Sequence, residues 1–283
     1  MKFVSFSSNS LSVRGGVLEG DRVHPLVNTG GDGVLAHIQS GNSQPVLDGS
    51  SLPIETVKLH APLQNPPRIF GIGLNYRDHA TESKMVVQSV PTVFLKLASS
   101  ITGPDTDVLL PPEATQPDYE AELAVVIGKR GHRIAPEHWE QYVFGYTIIN
   151  DVSARGVQLA TSQWTLGKSF PTFTPVGPSI VTRDEILDPH SLDIRLTLSG
   201  EIMQSANTRD LIFRIPELIS YLSSIVALEP GDIISTGTPS GVGLGRTPQR
   251  WLQPGEEMIV EIERIGALRN RTRAIDWKDT AQP

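Results

Sequence analysis

Cysteine is absent from all 283 residues. That removes disulfides, thiolate nucleophiles and every cysteine-based zinc or iron–sulfur site, so any metal has to sit among oxygens or imidazoles. Long apolar runs are missing too, and none approaches the ~20 residues that span a bilayer. The opening stretch "MKFVSFSSNSLSVRGG" alternates apolar and polar residues instead of forming the continuous apolar segment of a secretory signal. A soluble, cytosolic protein is therefore expected. Positive charge is in deficit, 24 Lys and Arg against 31 Asp and Glu for a net −7, and no long basic run interrupts it. Nucleic acid and anionic membranes are poor partners for such a surface, and a small molecule is the better expectation.

What the chain does contain is glycine and proline, 25 and 22 residues, within a sequence that is 39% hydrophobic. This composition suits many turns and short strands. The length exceeds that of a usual single domain, which predicts one substantial domain with a smaller appendage. The pair Pro66-Pro67 marks a plausible join, giving a small β-rich domain over 1–65 and a main domain over 66–283.

In the appendage, "KFVSF", "LSVRGGVLEG" and "RVHPLV" read as strands, followed by the Gly-rich "NTGGDGV" and a polar segment to "LDGS". In the main domain, "RIFGIGLNY", "PTVFLKLASSITG", Glu120 to Ile127 and "YTIIN" read as strands, with a short helix from about Pro136. "SLDIRLTLSGEIMQSA" predicts a hairpin turning at Ser199-Gly200. Ile215, Leu218, Ile219, Leu222 and Ile225 have helical spacing, with Pro230-Gly231 to end the helix. "DIISTGTPSGVGLG" is a strand entering a Gly-rich loop, and "EEMIVEIERIGALRNR" reads as a late strand. Strands dominate and helices do not alternate with them, so the expected class is mixed and mostly β.

The stretch "QPDYEAELAVVIGKRG" puts Glu120 and Glu122 at the mouth of an apolar strand. Side chains two apart in a strand share a face at roughly 7 Å, and Asp118 has the same parity. A solvated strand end is the plain reading of such a pair. Against it stand the apolar run that follows, a further carboxylate, Asp151, at the end of the apolar "YTIIND", and no Lys or Arg immediately beside the glutamates. Buried, unpaired carboxylates call for a cation, and an all-oxygen set selects Mg²⁺, Mn²⁺ or Ca²⁺ over zinc.

In "GLNYRDHATES", His79 and Glu82 lie three apart, so one helical turn puts them on one face as an outline general-base dyad, although chance surface pairs of this kind are common. Arg155 and Gln158 follow Asp151 at four and seven residues, one face if that segment is helical, and with Lys168 they are candidates to cradle an anionic substrate. "STGTPSGVGLG" lacks the lysine of a phosphate-binding loop; Thr238 in it could hold a carboxylate through its hydroxyl and backbone amides.

Taken in order, "GLNYRDHATE", "PTVFLK", "DYEAELAVVIGK", "NDVSAR", "QWTLGKSF", "PVGP" and "STGTPSGVG", across about residues 70 to 245, resemble the fumarylacetoacetate hydrolase family, and its two-domain bacterial acylpyruvases and dienedioate isomerases in particular. The resemblance implies a β-sandwich roll that holds one divalent ion, Mg²⁺ or Mn²⁺ with Ca²⁺ as a substitute, on Glu120, Glu122 and Asp151. It further implies that His79 and Glu82 polarise a water, that Lys168 faces the substrate, and that Arg155, Gln158 and Thr238 bind it. Two positions depart from the pattern: Pro171 stands where an Asp often follows the lysine, and Gly156 where an acidic residue often follows the arginine.

The implied substrate is a 2-oxo or 2,4-dioxo acid that chelates the ion, an acylpyruvate or a fumarylpyruvate-like acid, of the kind met in aromatic compound catabolism. The ion would act as a Lewis acid on the enolate released when a C–C bond breaks. The expected activity is C–C bond hydrolysis by a cytoplasmic homodimer. The alternatives on the same site are oxaloacetate-type decarboxylation and 2-hydroxy-dienedioate isomerisation, or, with catalysis lost, a binding protein.

Overall fold

A computed structural model describes residues 1–8, 12–27 and 32–276. At its centre, Ala121–Ile127 pairs antiparallel with Val143–Asn150, Ala121 lying opposite Asn150. Thr174–Thr182 adds to the far side of Val143–Asn150. On the other edge of Ala121–Ile127 come Ile233–Ser235, then Ile69–Gly73 in parallel, then Thr92–Lys96. The strands Lys2–Ser7, Arg14–Glu19 and Arg22–Pro25 join through Lys2–Ser7, which pairs with Thr174–Thr182, and the whole sheet has twelve strands. A second sheet of five runs through Glu201–Asn207, Asp193–Leu198, Glu257–Ile262, Gly266–Ala274 and Val108–Leu110. The architecture is mixed and mostly β, as the sequence predicts.

Every residue of Ala121–Ile127 is buried because both faces of the strand are covered. Leu123, Val125 and Ile127 pack in one core with Leu196, Met258 and Val260 of the five-stranded sheet. The opposite parity, Ala124 and Val126, packs in a second core with Phe3, Val17, Leu26 and Ile180. Continuous apolar runs are what a doubly covered strand requires.

The expected hairpin forms over Asp193–Asn207, with Ser199 and Gly200 both at positive φ, the backbone that a two-residue turn between right-twisted strands needs. The helix Ile215–Ile225 buries Ile215, Leu218, Ile219 and Leu222, but Ile225 is exposed. It stops at Val226, four residues before Pro230, because the chain becomes extended there to bridge Leu228 with Gly131. The stretch from Pro136 is a 3-10 helix, Pro136–Tyr142.

Two readings are corrected. The late segment is two strands, Glu257–Ile262 and Gly266–Ala274, folded back through Arg264 and Gly266 at positive φ. The Gly-rich and polar segment contains a helix, Gly33–Ser40. Asp32 accepts from Leu35 N at its start and from Gln64 N and Asn65 N at 2.7 and 2.9 Å, while Val34 and Ile38, one turn apart, enter the core with Phe3. Residues 28–31 of that segment, and Leu11 at the start of the second predicted strand, lie outside the described residues.

The division near residue 65 remains a proposal: Val4, Phe6 and Val23 form a small core of their own, and Phe3 docks that unit on the main sheet. Phe3 is fully buried between the two. Phe3→Ala is expected to lower the stability of the whole chain by about 3–5 kcal/mol, read as a shifted denaturant midpoint; a separate early transition confined to the N-terminal strands would contradict that docking.

Candidate active site

The central strands end together at one side of the sheet. There Asp151 N donates to Glu120 O at 2.8 Å, and Asn150 Oδ1 accepts from Glu120 N at 3.0 Å, so the end of one strand pins the approach to its neighbour. The result is a buried set, Glu120, Glu122 and Asp151, in which one carboxylate oxygen from each lies within 4.8 Å of the others. The third carboxylate of equal parity, Asp118, is also buried, but it does another job: it accepts from Gly243 N at 2.7 Å and Leu244 N at 3.0 Å, tying down the Gly-rich loop.

Three cations meet these carboxylates, which neighbours in sequence did not announce. Lys168 Nζ lies 2.7 Å from Glu120 Oε2 and 2.6 Å from Asp151 Oδ2. Arg155 Nη2 lies 2.6 Å from Glu120 Oε1 and 2.8 Å from Asp118 Oδ2. Lys96, not foreseen as a site residue, places its buried ammonium 2.6 Å from Asp151 Oδ1 and also donates to the carbonyls of Lys168 and Phe173. Its signal was a lysine at the same parity as Phe94 in an alternating strand whose buried face it shares.

Among the described residues no cation pairs with Glu122. Ser235 Oγ and Gly237 N donate to its Oε2 at 2.5 and 3.0 Å, yet burial first, and then the charges of Asp151 and Glu120, push its carboxyl well above the usual carboxylate range. Glu120 goes the other way: burial opposes ionisation, but the Lys168 ammonium and Arg155 guanidinium outweigh it and hold the carboxyl below the usual range. Burial likewise opposes the charge on Lys168, and Asp151 and Glu120 restore it, so its ammonium is held more firmly than an ordinary lysine's. A divalent ion fits this set: three carboxylates offer hard oxygen ligands, and Glu122, which has no counter-charge, is the one whose ionisation a bound cation would favour.

The helix Arg77–Glu82 brings the dyad over the same cavity. His79 Nδ1 and Glu82 Oε1 are 3.0 Å apart, and Glu82 in turn accepts from Gly241 N at 2.9 Å, which latches the helix to the Gly-rich loop. With Nδ1 engaged, Nε2 is the nitrogen free for the cavity that His79 lines. Arg155 and Gln158 do share a short helix, Arg155–Gln158, although Asp151 lies before it; Arg155 Nη1 donates to Gln158 Oε1 at 2.9 Å. Gln204, another residue not foreseen, donates to Thr238 Oγ1 at 2.7 Å, leaving the Thr238 hydroxyl proton to point elsewhere. Glu120, Glu122, Arg155, Gln158, Lys168 and Thr238 all line one cavity with His79. Gly156 is needed where it stands, since a Cβ there would lie 2.1 Å from Thr115 Oγ1.

The family model for the fumarylacetoacetate (FAA) hydrolase C-terminal domain matches residues 68–273. A mitochondrial oxaloacetate tautomerase of Bos taurus is 46% identical over 222 residues, 78% of this chain and 71% of that protein. A fumarylacetoacetate hydrolase from Exiguobacterium antarcticum superposes with TM-score 0.88 at 37% identity, covering 97% of this chain and 100% of that one. A maleylpyruvate hydrolase from a Sphingobium species, in complex with manganese(II) and pyruvate, superposes with TM-score 0.78 at 30% identity, covering 97% and 99%. No helix among the described residues is long and apolar enough to cross a membrane.

Glu122→Gln tests the cation assignment. The variant is expected to lose Mn²⁺ binding by calorimetry. A carboxyl whose folded pKa is raised favours the fold below its unfolded pKa and loses that contribution as pH climbs through the folded value. The metal-free variant should therefore melt at or above wild type at pH 7; unchanged Mn²⁺ affinity would remove Glu122 from the site.

Proposed function

The chain belongs to the fumarylacetoacetate hydrolase family, and from that premise we propose that it hydrolyses a C–C bond of a 2,4-dioxo acid of the acylpyruvate type to pyruvate and a carboxylic acid. The observation that carries the reading is the His79–Glu82 pair, 3.0 Å apart and lining the cavity that holds Glu120 and Glu122. Hydrolysis needs a nucleophile, and an imidazole oriented by a carboxylate is a means to make one from water. When bound by Glu120, Glu122 and Asp151, Mg²⁺ or Mn²⁺ would supply Lewis-acid polarisation of the substrate's oxygens.

The protein's own groups do the rest. His79 Nε2 takes a proton from water while Glu82 holds Nδ1–H. Lys168 stands against Glu120 and Asp151, its charge kept by both, where it favours negative charge developing on the substrate. The Gln158 amide and the Thr238 hydroxyl, whose oxygens already accept from Arg155 and Gln204, have their donors left for a substrate carboxylate.

Tautomerisation of oxaloacetate is the second reading, favoured by the 46% identity to the bovine enzyme. It moves one proton between carbon and oxygen and incorporates no water. Decarboxylation and dienedioate isomerisation likewise need no water as nucleophile. Turnover of an acylpyruvate in ¹⁸O-water is expected to label the new carboxylic acid, and His79→Ala to slow it by a factor on the order of 10² to 10⁴ with Mn²⁺ affinity kept. Rapid enol–keto exchange of oxaloacetate with no cleavage of any acylpyruvate would overturn hydrolysis in favour of the tautomerase.

A homodimer is part of the same proposal. Its support is the edge strand Thr92–Lys96, whose outward Val93 and Leu95 are exposed together with the following Leu97. A monomeric mass by light scattering would refute the dimer.

A further inference from the structure

The cavity lining is of two chemical kinds. Beside its charged groups it is lined by Phe94, Trp164, Leu159 and Met85. This apolar side is built into the sheet. A Cβ on Gly71 would lie 2.3 Å from the Phe94 ring and one on Gly73 2.4 Å from the Trp164 ring, so both rings rest on bare backbone. Their centroids are 5.6 Å apart, and the Lys168 ammonium sits 5.0 Å from the Phe94 centroid, so the wall adjoins the charged side. Ser83 lines the cavity too, and its buried hydroxyl has no hydrogen-bond partner.

Among the described residues both cations lining this cavity are held, Arg155 by Asp118 and Glu120, and Lys168 by Glu120 and Asp151. A second substrate carboxylate at Phe94 and Trp164 would be desolvated without a partner, whereas an apolar group there gains by leaving water.

We propose that Phe94, Trp164, Leu159 and Met85 form a subsite for an uncharged apolar substituent, branched or aromatic, on a monoanionic 2-oxo acid, and that this wall excludes a second carboxylate. The inference rests on the 2-oxo-acid reading above and decides its substrate class.

Calorimetry on the Mn²⁺-loaded protein with pyruvate, 4-methyl-2-oxopentanoate and 2-oxoglutarate tests it, the last two being similar in size. The branched monoanion is expected to bind at least about tenfold more tightly than the dianion. Trp164→Ala should weaken 4-methyl-2-oxopentanoate by about tenfold or more while leaving pyruvate within about twofold. Leu159→Ala, at a half-exposed position where folding is not at stake, should act in the same direction. Equal or tighter binding of 2-oxoglutarate, or equal losses for pyruvate and the branched acid in both variants, overturns the subsite. Failure of pyruvate itself to bind is a different result: it removes the 2-oxo-acid reading and the subsite with it.

Discussion

The ionic cluster at the end of the central strands is the constraint around which the rest of the structure is arranged. Taking several charges out of water is expensive, and mutual attraction recovers the expense only where geometry and hydrogen bonding are good. Here each lysine and arginine touches at least one carboxylate at 2.6–2.8 Å. Lys96 also fastens the backbone of Lys168 and Phe173, so the same ammonium that faces Asp151 fixes the turn from which Lys168 reaches in. A cluster this costly, with Glu122 left without a counter-charge, is better explained by what it binds than by stability.

Glycine makes the surrounding geometry possible. Gly237 has φ +101 and turns its N–H on to Glu122, and a Cβ there would lie 2.7 Å from that of Asn75. Gly241 has φ +104, presents its N–H to Glu82, and would drive a Cβ to 2.0 Å from Met203 O. The two bonds connect the Gly-rich loop to the carboxylate set and to the helix that carries His79. Asn75 closes the arrangement by donating to Thr236 O at 2.7 Å and to Phe213 O at 2.9 Å. Loop, helix and strand ends are thus one hydrogen-bonded unit.

Much of the strand pattern was legible because burial on one or two faces imposes a period that the chain must carry. The hairpin over Asp193–Asn207 announced itself through alternation and a Ser-Gly turn, and Ile215–Ile225 through its spacing. The helix Gly33–Ser40 did not, since only Val34 and Ile38 carry its buried face and its cap, Asp32, is also a loop anchor. The stretch "EEMIVEIERIGALRNR" read as one strand because both halves are strand-like, and the break depends on two positive-φ residues of which one is arginine. Local preference is weakest where tertiary contacts supply the stabilisation.

By itself the sequence determined the absence of cysteine chemistry, the mostly β class, and which residue types were gathered near which strand ends: Glu120, Glu122 and Asp151 at apolar strand ends, and His79 three residues from Glu82. Those follow from composition and from periods of two and three to four residues, which are properties of neighbours. Only the tertiary structure decided which charges meet. Lys96 and Lys168 lie 55 and 17 residues from Asp151 along the chain, and no local pattern encodes their convergence on it. The same holds for the glycines that seat Phe94 and Trp164. Contacts between distant segments are set by strand order and register, and these arise from burying every apolar face at once rather than from any one stretch.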